Sequence, residues 1–104
     1  MKFGLNDDIL EILTRYVQVF PDIDELIIFG SRAMGNYKPT SDIDIALKGT
    51  LNKNTASDLW SMLDNAPRFP YKIDVLDYNT ISNIELKKHI DEEVRLFYKN
   101  LNKK

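Results

Sequence analysis

Leu26-Ile27-Ile28-Phe29 is apolar at every position and runs directly into Gly30-Ser31. Such a run fits a strand covered on both faces, because a strand with one wet face would alternate. Alternation does appear a little further on. From Asp42 to Lys48, Asp42, Asp44 and Ala46 fall on one side, and Ile43, Ile45 and Leu47 fall on the other. Side chains two apart on a strand point the same way, roughly 6.5 to 7 Å from each other. Two carboxylates at that spacing repel by about 2 to 3 kcal/mol at an effective dielectric near 20. A hard divalent cation is the natural compensation. Carboxylates that hold Mg²⁺ beside a Gly-Ser turn suited to phosphate point to chemistry on a nucleoside triphosphate.

The rest of the chain supplies the elements that such a sheet needs. Asn6 or Asp7 caps a helix with apolar positions Ile9, Leu10, Ile12, Leu13, Tyr16, Val17 and Phe20, ended by Pro21. Arg32-Ala33-Met34 fits one or two helical turns closed by Gly35-Asn36, and Pro39 keeps them from continuing. Gly49 and Thr50 end the alternating strand. Leu51 to Ala66 is expected to be helical, with Leu59, Trp60, Met62 and Leu63 on its apolar side. After the stiff connector Pro67-Arg68-Phe69-Pro70, Tyr71 to Tyr78 reads as a third strand. Ser82-x-x-Glu85 has the spacing of a capping box and opens another helix. Ile90 to Leu101 fits either a continuation of that helix or an edge strand over Val94 to Tyr98.

At 104 residues the chain is sized for one domain with one core, 1–104. Hydrophobic residues at 43% and charged residues at 29% argue against disorder. A net charge of −2 without a basic block disfavours binding to duplex nucleic acid. The absence of cysteine excludes disulfides and thiolate metal sites and fits a reducing cytoplasm, the expected location. No run reaches membrane-spanning length, and no membrane partner is expected.

Facing selects a third carboxylate. Ile43, Ile45 and Leu47 must face helices, so Asp42 and Asp44 lie on the opposite side of the sheet. Ile73 and Val75 take the apolar side of the third strand, which turns Asp74 the same way as the aspartate pair. Asp77 falls on the other face, where it serves as a turn or cap residue before Asn79-Thr80. Provided that the two strands are neighbours, Asp42, Asp44 and Asp74 form a candidate metal triad for two Mg²⁺ ions. Gly30 lets backbone approach phosphate, and Ser31 offers a hydroxyl and neighbouring N–H groups. Arg32 and Lys38 are nearby cations within reach of phosphate oxygens, with a solvated-surface role as the alternative. Ser41 completes the candidate nucleotide contacts. A D-x-D strand alone is usually just a polar face; the combination and its order are what carry the signal. His89 reads as a surface residue, Trp60 and Met62 as core, and Lys103-Lys104 as a frayed tail.

In Gly30-Ser31-Arg32-Ala33-Met34-Gly35, Ser41-Asp42-Ile43-Asp44 and Ile73-Asp74-Val75, the chain resembles the minimal nucleotidyltransferases of the DNA polymerase β superfamily. The resemblance spans nearly the whole chain. It implies an α/β (α+β) fold, a small mixed sheet flanked by helices in the order α-β-α-β-α-β-α. Asp42 and Asp44 would bind both Mg²⁺ ions, and Asp74 would be the third ligand and the base near the acceptor hydroxyl. Gly30 and Ser31 would bind the triphosphate. Many members carry a second basic residue where this chain has Met34.

The expected activity is Mg²⁺-dependent transfer of a nucleoside monophosphate, AMP from ATP, to an acceptor hydroxyl. Minimal members are similar to the antitoxin halves of two-component pairs whose partners are small helical HEPN proteins. That likeness implies a separate partner protein, a tyrosine on it as acceptor, and silencing of a ribonuclease. A homo-oligomer stays open. The competing readings are a nucleotide-binding module that neutralises its partner by occlusion, and a transferase acting on a small molecule.

Overall fold

The structure is a computed structural model that describes residues 2–92 and 95–100. Its first helix, α1 (Asp7–Val17), starts where the Asn6 side chain accepts the Ile9 N–H at 3.0 Å, with Asp7 and Asp8 placed favourably in the first turn. Ile9, Leu13 and Val17 form its buried stripe. The helix stops at Val17, four residues before Pro21. Val19 is exposed, so nothing holds a further turn on the core, and the chain must already swing into the first strand.

That strand, β1 (Ile23–Phe29), is followed by α2 (Ser31–Met34), β2 (Ile43–Gly49), α3 (Thr55–Asp64), β3 (Ile73–Asp77), a 3₁₀ turn (Tyr78–Thr80), α4 (Ile84–Glu92) and β4 (Arg95–Lys99). The expected order of elements therefore gains a fourth strand at its end. The four strands form one mixed sheet in the order β3-β2-β1-β4. β1 pairs antiparallel with β2 and with β4, whereas β2 and β3 run parallel, joined through α3. Of the two possibilities for the last segment, the edge strand is found. It covers the outer edge of β1, and Phe97 and Tyr98 pack against the main cluster. Val94, Leu101 and the Lys103-Lys104 tail lie outside the described residues.

The all-apolar strand is covered on both faces. Leu26 and Ile28 join Ile43, Ile45, Leu47, Leu13, Leu59 and Leu63 under α1 and α3. Ile27 and Phe29 join Ala46 and Ile90 of α4 on the opposite side. Two helices begin later than expected. Leu51 to Asn54 forms a turn, because the Asp22 carboxylate accepts the Asn52 N–H and the Thr55 hydroxyl and fixes the start of α3. In α4 the cap is Asn83, which accepts the Leu86 N–H at 3.1 Å, one residue after the expected Ser82.

Candidate active site

β1 delivers the chain into Gly30 at φ 72° and ψ −152°, a conformation open essentially to glycine alone. A β-carbon at Gly30 would drive into Oδ2 of Asp44. The backbone of the turn thus lies directly against a carboxylate of the neighbouring strand, with no side chain between. Ala33 and Met34 N–H groups bond back to the Gly30 carbonyl, giving the single turn of α2, and Gly35 closes it at φ 86°.

The register of β2 and β3 pairs Asp44 with Asp74, and that of β1 and β2 pairs Asp44 with Phe29. Phe29, Asp44 and Asp74 therefore form one row across three strands on the α4 side of the sheet. Asp42 is exposed just before β2, Asp44 is half-buried, and Asp74 is exposed. Burial raises the Asp44 carboxyl above the ordinary carboxylate value, and the charges of Asp74 and then Asp42 push it the same way. The structure brings the three expected carboxylates into one electrostatic group centred on Asp44. Asp77 lies on the other face, as expected, and its carboxylate accepts the Asn79 N–H at 2.9 Å to cap the 3₁₀ turn.

Among the described residues, no three carboxylate or histidine side chains are already gathered at metal-binding distance. The donor set nevertheless fits Mg²⁺. All its oxygens are hard, and a cation would relieve both the desolvation and the mutual repulsion carried by Asp44. Asp42 and Asp74, being exposed, are free to reorient toward one at little packing cost.

Arg32 corrects the sequence reading. It is only 2% exposed, so it is neither a phosphate ligand nor a solvated surface cation. Its guanidinium donates to the carbonyls of Ser41 (2.9 and 3.2 Å), Phe3 (2.9 Å) and Pro39 (3.3 Å). The rings of Tyr37 and Tyr71 stand 5.3 and 5.0 Å from it. Carbonyl dipoles and two aromatic faces compensate the buried charge. Ser41 shares this bracing role: its hydroxyl accepts the Lys38 N–H at 2.8 Å. Together they fold the segment from Gly35 to Asp42 back on α2 and set where Asp42 emerges.

The sequence matches the family described as "Polymerase beta, Nucleotidyltransferase" over residues 9–103. The chain belongs to this family. A comparison with curated protein sequences finds no match. Among solved structures, a toxin–antitoxin crystal structure with AMP-PNP is similar at a TM-score of 0.69 and 22% identity, covering 94% of this chain and 77% of that one. The toxin–antitoxin MntA-HepT aligns at 0.68 and 16% identity, covering 93% and 75%. A Sulfolobus solfataricus protein described as a nucleotidyltransferase aligns at 0.53 with 31% identity, covering 89% and 76%. The mixed sheet with its flanking helices is the nucleotidyltransferase fold.

In this nucleotidyltransferase domain one residue near the aspartates escaped the sequence reading. Trp60, expected in the core, is 43% exposed, and its indole N–H donates to the Ile73 carbonyl at 3.2 Å. It lines an open cleft of about 510 Å³ beside β3 together with Lys53, Asp74 and Asp77. A second cleft, of about 490 Å³ between α1 and the Pro67–Tyr71 connector, includes none of the three aspartates.

Proposed function

We propose that this domain transfers AMP from ATP to a tyrosine hydroxyl of a separate HEPN-type toxin and thereby acts as its antitoxin. The row of Asp44 and Asp74 in register, with Asp42 beside it and the Gly30 backbone against Asp44, carries the reading. The crystal structures of similar fold, one with AMP-PNP and both of toxin–antitoxin pairs, support the choice of nucleotide and of partner.

Asp42, Asp44 and Asp74 would hold Mg²⁺, which supplies neutralisation of the triphosphate and a lowered pKa of the acceptor hydroxyl. Gly30, lacking a side chain, leaves the phosphates room beside Asp44. Ser31 presents its hydroxyl at the start of α2. Asp74 receives the proton of the acceptor hydroxyl. The acceptor oxygen bonds to the α-phosphorus, the bond to the bridging oxygen breaks, and pyrophosphate leaves with the electron pair. Incubating the chain with a HEPN-type partner, Mg²⁺ and ATP should release pyrophosphate and add one AMP to a partner tyrosine, and EDTA should stop both. A partner that is silenced while its mass is unchanged would replace this proposal with occlusion.

A further inference from the structure

Three segments distant in sequence meet on the guanidinium of Arg32, and one of them precedes the stretch matched to the family. That stretch covers residues 9–103, whereas the turn formed by residues 2–5 lies before it. The turn is closed by the Leu5 N–H on the Lys2 carbonyl at 2.8 Å and anchored by Leu5, which is fully buried. The Phe3 ring meets Phe97 of β4 edge-on at 6.4 Å. Phe3 and Gly4 both hold positive φ, 58° and 70°. A residue as large as Phe3 stays in that conformation only where its surroundings impose it, and such positions gather at functional sites.

The surroundings here are those of Arg32. The Phe3 carbonyl takes one guanidinium N–H at 2.9 Å. Gly4 lies against the Tyr37 ring, where a β-carbon would drive into the ring atoms. The Tyr37 ring in turn faces the guanidinium, as does that of Tyr71. Among the described residues no carboxylate pairs with Arg32. A buried cation without a counter-ion depends on every carbonyl and ring around it, so the turn is part of what keeps Arg32 in place.

We propose that the turn of residues 2–5, acting through Gly4 and Tyr37, is a positioning element for Asp42 as a metal ligand. This rests on the metal-binding reading of the three aspartates above and adds to it the device that sets one of them. Asp42 is exposed, so packing does not place its side chain and its backbone must. On one side the Ser41 carbonyl accepts two bonds from Arg32, at 2.9 and 3.2 Å. On the other side the Ile43 N–H donates to the Lys72 carbonyl at 2.9 Å. Releasing Arg32 leaves only the second restraint, and Asp42 is then free to move relative to Asp44 and Asp74. Groups that orient metal ligands from behind govern affinity by about 10- to 100-fold.

Mn²⁺ alone, followed by the loss of its free-ion paramagnetic signal, reads the site of the full chain without nucleotide, partner or turnover. The titration is made where circular dichroism shows each variant folded. Gly4→Ala, which pushes the Tyr37 ring off the guanidinium, and Tyr37→Ala, which removes it, should each raise the Mn²⁺ dissociation constant about tenfold. Tyr37→Phe keeps the ring face and should stay within about twofold of wild type. Thr55→Val serves as control, since it loses the bond to Asp22 and weakens the fold away from Arg32. It too should stay within about twofold. Should Gly4→Ala fail to fold, the two Tyr37 variants decide alone. Tyr37→Ala binding Mn²⁺ as tightly as wild type, Tyr37→Phe as impaired as Tyr37→Ala, or Thr55→Val losing as much affinity as Tyr37→Ala would each overturn the assignment. Wild type that binds no Mn²⁺ at all would instead overturn the metal reading of the aspartates, and this assignment with it.

Discussion

Replacing Gly30 with alanine introduces two separable costs. The backbone at φ 72° and ψ −152° is one that a residue with a β-carbon holds at about 1–3 kcal/mol. The added methyl also meets Oδ2 of Asp44, which must move because the neighbouring strand backbone cannot. Rotating one half-buried carboxylate away is cheaper than shifting a strand, so this second cost is about 1 kcal/mol. Gly30→Ala should therefore lose about 2–4 kcal/mol, or roughly 8–25 °C of melting temperature for a domain of this size. A double-mutant cycle with Asp44→Ala isolates the contact. The strain persists in the double mutant, the clash does not, and the coupling should be about 1 kcal/mol. Urea denaturation in EDTA measures all four corners. Additivity of the two substitutions, or a Gly30→Ala variant as stable as wild type, would refute the close approach of turn and carboxylate.

Asp44→Asn should make the metal-free protein slightly more stable at neutral pH, by a few tenths of a kcal/mol after solvent screening, because the amide carries no charge to be desolvated by burial and feels no repulsion from Asp74 and Asp42. The folded carboxyl titrates above its unfolded value of 3.8, so its contribution to stability is fully present below that value and lost as pH rises through the folded pKa. The stability difference between variant and wild type in EDTA should accordingly shrink on acidification, and denaturation at stepped pH would show it; a difference that widens would contradict the clustering. Arg32→Met should cost about 2–4 kcal/mol, since carbonyls of Phe3, Pro39 and Ser41 lose their donor inside the protein; a change below about 0.5 kcal/mol in chemical denaturation would refute the bracing role. ATP with Mg²⁺ should raise the melting temperature, by about 2.7 kcal/mol of stabilisation at a hundred times the dissociation constant, whereas equal protection by ATP in EDTA would remove the metal from the account.

What the sequence made legible was set by periodicity. Strict alternation from Asp42 to Lys48 and the unbroken run Leu26–Phe29 placed both strands on their correct faces, and the same rule turned Asp74 toward Asp44 and Asp77 away. Boundaries held by tertiary contacts were not visible. The start of α3 depends on Asp22, some thirty positions earlier in the chain. β4 rests on pairing with β1, and a five-residue edge strand has too short a pattern to be told from a helix. Arg32 was misread for a related reason. A cation next to a Gly-Ser turn suggests phosphate, and its burial depends on Phe3 and Tyr71, which no local pattern connects to it. Trp60 sits at an apolar helical position, yet β3 is the sheet edge, so the side of α3 that overhangs it is left open.

The central claim is that Asp42, Asp44 and Asp74 act together as catalytic carboxylates on one face of the sheet. Mass spectrometry of a HEPN-type partner after incubation with ATP and Mg²⁺ tests it most directly, comparing wild type with Asp74→Asn and Asp77→Asn. Wild type and Asp77→Asn should each add the mass of AMP to a partner tyrosine. Asp74→Asn should still bind the partner and leave it unmodified, because the proton of the acceptor hydroxyl has no receiver. An Asp74→Asn variant that modifies the partner as fast as wild type, or an Asp77→Asn variant that is the inactive one, would contradict the account.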